Sequence, residues 1–71
     1  MEEAEAHKGK IIWYSTSRGY GFLTDSMSGI DYFFHRTGLL FPEVEATEGL
    51  SVVFDVDVFR GKPTAVNINK L

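Results

Sequence analysis

Two segments of this chain place aromatic rings on both faces of short strands. In Arg18-Gly19-Tyr20-Gly21-Phe22-Leu23, Tyr20 and Phe22 stand two residues apart. In Asp31-Tyr32-Phe33-Phe34-His35, Phe33 and His35 alternate with Tyr32 and Phe34. Side chains two apart on a strand share a face. The intervening Ser26-Met27-Ser28-Gly29 reads as a tight turn, so the two segments form an antiparallel hairpin. One face then carries Tyr20, Phe22, Phe33 and His35, and Trp13 on the preceding strand is placed to join it. The other face carries Leu23, Tyr32 and Phe34, which can fill an interior. A chain of 71 residues is one domain at most and cannot bury both faces. One aromatic face must look outward, where an apolar patch marks a binding site. Glycine weakens strands, so Gly19 and Gly21 beside Tyr20 need a reason. The sequence suggests one: they leave open space through which a flat ligand reaches the ring.

The rest of the chain is also β-rich. Apolar spacing at i, i+3, i+4, i+7 is missing, whereas short runs punctuated by turn residues recur. Strands are expected over Lys10–Tyr14, Tyr20–Thr24, Ile30–His35, Ser51–Phe59 and Thr64–Ile68. In the fourth, Val52, Phe54, Val56 and Val58 alternate with mostly polar neighbours, the pattern of a sheet with one buried face. Arg60-Gly61-Lys62 reads as a turn. Residues Arg36–Gly49 form a longer exposed connection, with a short helical turn near Thr37–Leu40. Five short strands predict an all-β, antiparallel, closed or nearly closed barrel, because closure hides the strand edges.

Composition narrows the function classes. With no cysteine there is no disulfide and no thiolate metal site, which points to a reducing compartment, most simply the cytoplasm. His7 and His35 are too few to hold zinc without cysteine. The start lacks the basic and apolar regions of a signal peptide, and no apolar run approaches the ~18 residues of a membrane span. No nucleophile–base pair, metal set or phosphate loop supports an enzyme. A monomer without cofactor, membrane or small-molecule substrate is the expectation. The net charge is −3, which argues against a nucleic-acid binder. Three of the ten acidic residues, however, are Glu2, Glu3 and Glu5 in the leader. From His7 onward, seven acidic residues balance seven basic ones. Residues 1–7 are therefore read as a disordered acidic tail and 8–71 as the folded domain.

Nucleobases are the obvious flat ligands for an exposed aromatic face. Stacking on aromatic side chains is worth roughly 1–3 kcal/mol per base and tolerates any sequence. Lys10, Arg18, Arg36, Arg60 and Lys62 border the rings in sequence and are candidates for phosphate contacts.

These residues resemble a known family, the cold-shock domain. Its members carry a Gly-Lys-Val-Lys-Trp-Phe-Asn opening, a Lys-Gly-Phe-Gly-Phe-Ile motif and an Asp-Val-Phe-Val-His motif. Here they read Gly9–Ser15, Arg18–Leu23 and Asp31–His35. Glu48-Gly49, Val52–Phe54 and Pro63–Ile68 also fit, so the resemblance covers roughly residues 9 to 70. It implies a five-stranded Greek-key barrel of the OB type that binds single-stranded RNA and DNA with low sequence specificity. An RNA chaperone, or a regulator of transcription or translation, is the implied role. Carried over, the stacking residues are Trp13, Tyr20, Phe22, Phe33 and His35, with Lys10 and Arg18 on phosphates.

Several positions depart from the pattern. Ile12 replaces a lysine and Ser15 an asparagine. Arg36 stands where many members have a stacking phenylalanine; it is either a ligand contact or a solvated charge. Phe41, a loose match to the family's loop phenylalanine, is either a lid or a packing residue. Lys62 replaces a glycine and is a ligand contact or an ordinary turn charge. Glu43, Glu45 and Glu48 make the loop acidic. These changes imply weaker or retuned binding. The Arg18–Leu23 string also resembles a motif of RRM domains, but that fold needs two helices and an earlier partner motif. A rival class remains: a protein-interaction barrel whose aromatic face holds a proline-rich or extended peptide.

Overall fold

The structure is a computed structural model that describes residues 7–71. Five strands form a closed barrel: β1 (His7–Ser15), β2 (Tyr20–Asp25), β3 (Asp31–His35), β4 (Ser51–Phe59) and β5 (Lys62–Lys70). Their order around the barrel is β1-β2-β3-β5-β4, with β1 and β4 also paired. Four of the five contacts are antiparallel, but β3 meets β5 in parallel at Phe33 and Thr64. The five-stranded antiparallel Greek-key barrel expected from the sequence is present, and it closes through one parallel contact at this seam. An odd number of strands cannot alternate direction all the way round a closed ring, so one parallel pair is unavoidable.

The core is the inward face expected from the alternation. Ile11, Leu23, Phe34, Val52, Phe54, Ala65 and Ile68 are each at most 2% exposed, with Tyr32 and Ala46 beside them. In β4 the alternation stops working midway. Val52 and Phe54 are buried, Val56 is half-buried, and Val58 and Phe59 are exposed. The β4–β5 hairpin extends past the barrel there, so its tip has no opposite wall to pack against. Arg60 and Gly61, both with positive φ (52° and 81°), make the two-residue turn. That is the pattern of a type I′ turn, whose twist suits a hairpin. Lys62 therefore begins β5 instead of belonging to the turn. A bulge in β5 at Asn67, also at positive φ, is braced by its side-chain amide, which donates to Asp55 at 3.0 Å.

The Arg36–Gly49 connection contains two 3₁₀ turns, Arg36–Gly38 and Glu43–Glu45. The expected helical turn is thus real but starts one residue earlier. Among the described residues, no helix is long and apolar enough to cross a membrane, and no buried side-chain nitrogen or oxygen lacks a partner.

The acidic leader lies outside the described residues, except that His7, read as tail, is the first residue of β1. Its ring stacks on Phe54 at 5.4 Å, and Nδ1 donates to the buried Asp25 carboxylate at 2.8 Å. The other Asp25 oxygen accepts from the Met27 amide at 2.8 Å and the Ser28 amide at 3.3 Å, closing the β2–β3 turn. The His7 hydrogen bond, helped by those amides, holds the Asp25 carboxyl below its ordinary value despite burial. A depressed carboxyl stabilises the fold above its unfolded value, and that contribution disappears as pH falls through the folded one. Asp25→Asn should therefore cost about 1–3 kcal/mol at neutral pH. In thermal melts the gap between wild type and variant should close on acidification below the usual carboxylate range.

Candidate nucleic-acid interface

The outward rings come together because β1 is irregular. Ile11 pairs with Leu23, yet Trp13 pairs with Phe22, so Ile12 is an extra residue in a β-bulge. The bulge turns two consecutive side chains, Ile12 and Trp13, outward. Without it, period-two alternation would send Trp13 to the same side as Ile11, into the core. Beyond the bulge, Tyr14 points back in and stacks on Phe34, with centroids 5.6 Å apart and planes 7° from parallel.

Trp13, Tyr20, Phe22 and Phe33 form one contiguous aromatic face. Trp13 lies 5.6 Å from Tyr20 and 6.3 Å from Phe22. Tyr20 and Phe22 lie 5.6 Å and 5.9 Å from Phe33. Trp13, Phe22 and Phe33 keep 38–44% of their surface exposed, whereas Leu23 and Phe34 on the opposite face keep none. Trp13–Tyr20, Tyr20–Phe22 and Phe22–Phe33 meet edge to face, and Trp13–Phe22 and Tyr20–Phe33 are tilted. His35 is opposite Tyr20 in the ladder and is exposed. Its Nδ1 accepts from the Thr37 amide at 3.2 Å, so it caps the first 3₁₀ turn while lying at the edge of the platform.

The two glycines have a different purpose from the one expected. Gly21 is buried, and a Cβ there would stand 2.2 Å from the Trp13 carbonyl oxygen and 2.8 Å from the Tyr14 Cα. Gly19 is also buried, at φ +77°, with the Arg36 guanidinium 2.6–3.0 Å from where its Cβ would be. The space beside Tyr20 is filled by the protein's own β1 backbone and Arg36. No ligand enters through it. Gly21 is what lets β1 come close enough to set Trp13 beside Phe22.

The basic residues divide into two groups. Lys10 is exposed on the outer face of β1, paired with Thr24 in the row next to Phe22. Arg18 is exposed in the Ser15–Gly19 loop that leads into Tyr20. Lys62 lines a cleft with Phe22 and Phe33. Arg36, by contrast, folds back on the loop. It donates to the Thr16 carbonyl at 3.2 Å and lies 3.9 Å from the Glu43 carboxylate. That carboxylate also accepts from the Tyr14 hydroxyl. Burial and the Glu43 carboxylate push the Tyr14 phenol up to about 12. Phe41 is half-buried against the core, and among the described residues no platform ring stacks on it. Glu45 binds Lys70, so two of the three loop acids are paired within the protein. One ring was missed by sequence reasoning: Phe59, 53% exposed, lines the cleft with Phe22, Phe33 and Lys62. Alternation puts it on the outward face of β4 with Asp55 and Asp57, but its position 26 residues beyond Phe33 gave no sign that the hairpin would set it beside the platform.

This geometry defines a class, a small closed β-barrel of the OB type with an aromatic face turned to solvent. A family model, the 'Cold-shock' DNA-binding domain, matches residues 7–71. The chain is 36% identical over 67 residues to the major cold shock protein of Streptococcus pyogenes serotype M18, covering 90% of this chain and 96% of that protein. It is also 36% identical over 73 residues to cold shock domain-containing protein 4 of Arabidopsis thaliana, covering 97% of this chain. The match spans only 35% of that relative's length. Among solved structures, drosophila Unr CSD456 superposes with a TM-score of 0.78 at 27% identity, covering 94% of this chain and 27% of that one. The chain belongs to the cold-shock domain family, a family of nucleic-acid-binding domains.

Two outcomes test the local architecture. Gly21→Ala should lower stability by about 1–3 kcal/mol, the usual cost of overpacking, because the Trp13 carbonyl has to move. Denaturant unfolding checks this. In an ultraviolet titration of the three tyrosines, one phenol should ionise only near pH 12, and Tyr14→Phe should remove that late phase. A raised phenol value stabilises the fold at neutral pH, with the contribution lost as pH climbs from about 10 to about 12.

Proposed function

We propose that this protein binds single-stranded RNA and DNA with little sequence preference and acts as an RNA chaperone or as a regulator of transcription or translation. The observation that carries this reading is the contiguous face of Trp13, Tyr20, Phe22 and Phe33, with three of its rings 38–44% exposed. Every base has a π-face, so a row of rings accepts any sequence. His35 extends the row. Lys10, Arg18 and Lys62 supply charge at its edges for phosphates between stacked bases. Arg36 and Phe41 belong to the scaffold in this reading, because the first holds the Gly19 loop and the second packs on the core.

The test is a fluorescence titration with a short pyrimidine-rich oligonucleotide. Trp13 is the sole tryptophan, so its quenching reports on the platform directly. Affinity should fall with salt at a slope of about −0.7 per phosphate neutralised. Phe22→Ala and Phe33→Ala should each cost roughly 1–3 kcal/mol in binding. Wild-type protein whose Trp13 emission is unmoved by saturating oligonucleotide at low salt would sink the reading.

A further inference from the structure

The tip of the β4–β5 hairpin leaves an aromatic ring with nothing to cover it. Phe59 is 53% exposed on a hairpin that extends beyond the core. Its neighbours across the opening are Phe22 and Phe33, the β3-side end of the platform, with Thr64 as the floor. The opening is about 640 Å³, within the roughly 300–1,000 Å³ of small-molecule sites. Arg60 and Lys62 form its rim. The parallel seam explains why it exists. Phe33 and Thr64 are the one pair through which β3 and β5 register as strands, and the cleft lies where this pairing ends. Asp57 is the nearest carboxylate along β4. It accepts from the Val58 amide at 2.8 Å and lines no part of the cleft. The site is thus apolar walls with a purely cationic edge.

We infer that this cleft is a further nucleotide subsite adjoining the platform, in which a base stacks on Phe59 and its phosphate is held by Arg60 and Lys62. The inference rests on the proposed nucleic-acid binding and adds one nucleotide to the strand's path beyond Phe33. The charge decides the occupant. An extended peptide needs backbone partners or carboxylates to match the rim, whereas a nucleotide brings a ring and an anion together. The neighbouring face is continuous with the platform because Phe22 and Phe33 belong to both.

A ladder of oligothymidylates from about three to about ten nucleotides, titrated into the full chain, tests this. Wild-type affinity should rise to a plateau length. Phe59→Ala should reach its plateau one nucleotide earlier and bind the long oligomers roughly 5- to 150-fold more weakly, with the shortest unchanged. Phe59→Leu keeps apolar bulk without a π-face and should behave like Phe59→Ala, whereas Phe59→Tyr should match wild type. Arg60→Gln should reduce the salt slope by about 0.7 for long oligomers only, whereas Lys62→Gln, which also borders the platform, should reduce it for shorter ones too. Phe59 is exposed, so both truncations should melt like wild type. Equal affinity of wild type and Phe59→Ala at every length would overturn the subsite and leave the platform standing. A uniform loss at all lengths, or full retention in Phe59→Leu, would overturn it as well. Saturation by a proline-rich peptide with no response to oligothymidylate would overturn both the subsite and the nucleic-acid reading.

Discussion

The close approach of β1 to β2 at Gly21 is the contact on which the aromatic face depends. The Trp13 carbonyl occupies the space a Cβ would take. At that point Ile12 bulges out, and the next side chain changes sides. These are two halves of one arrangement. A bulge bends and tightens a strand pair locally, and a bent strand presses its backbone on its neighbour. Only glycine accepts that pressure without displacing either strand. Trp13 then sits over Tyr20 and Phe22, while Tyr14 returns to stack on Phe34. One residue of extra length in β1 thus separates a ring for the ligand from a ring for the core.

The loops keep this arrangement in place through charge. Arg36 carries the Gly19 loop and the Glu43 turn on a single guanidinium, and Glu43 in turn takes the Tyr14 hydroxyl. The network runs from the loop before Tyr20 to the ring stacked on Phe34. It ties the end of β1, just past the bulge, to the connection after β3. The acidity of the connection after β3, which by sequence opposes an anionic ligand, is partly spent inside the protein on Arg36, Tyr14 and Lys70. Lys10, Arg18 and Lys62 lie at the edges of the aromatic face, so local charge and net charge point in different directions.

The sequence made the two-faced hairpin legible because period-two alternation is a short-range property. Tyr20, Phe22, Phe33 and the buried Leu23, Tyr32 and Phe34 all lie where alternation sends them. Wherever long-range geometry decides, the sequence was silent or misleading. Gly19 and Gly21 look like openings until β1 and Arg36 are seen to fill them. Val58 continues the pattern of a buried strand, but burial needs an opposite wall, and the hairpin overhangs it. His7 looks like part of an acidic leader, because its partners Asp25 and Phe54 lie 18 and 47 residues away in sequence. Arg36 and Phe41 match family positions by number, and only their contacts reveal what they hold.

The barrel's parity links these observations. Five strands in a closed ring require one parallel pair, and parallel strands cannot be joined by a tight hairpin. The chain therefore leaves β3 through the long Arg36–Gly49 connection, crosses to β4, and returns on β5. The seam is the weakest seam of the sheet, registered at Phe33 and Thr64 with a further bridge at Leu39 and Ile68. The three strands that carry the platform lie on one side of it, with the core directly beneath them. The hairpin tip lies on the other side, beyond the core, where no inward packing restrains Phe59. On the proposed reading, a nucleic-acid strand laid across Trp13, Phe22 and Phe33 would arrive at this seam, where the tip of the hairpin would meet its next base.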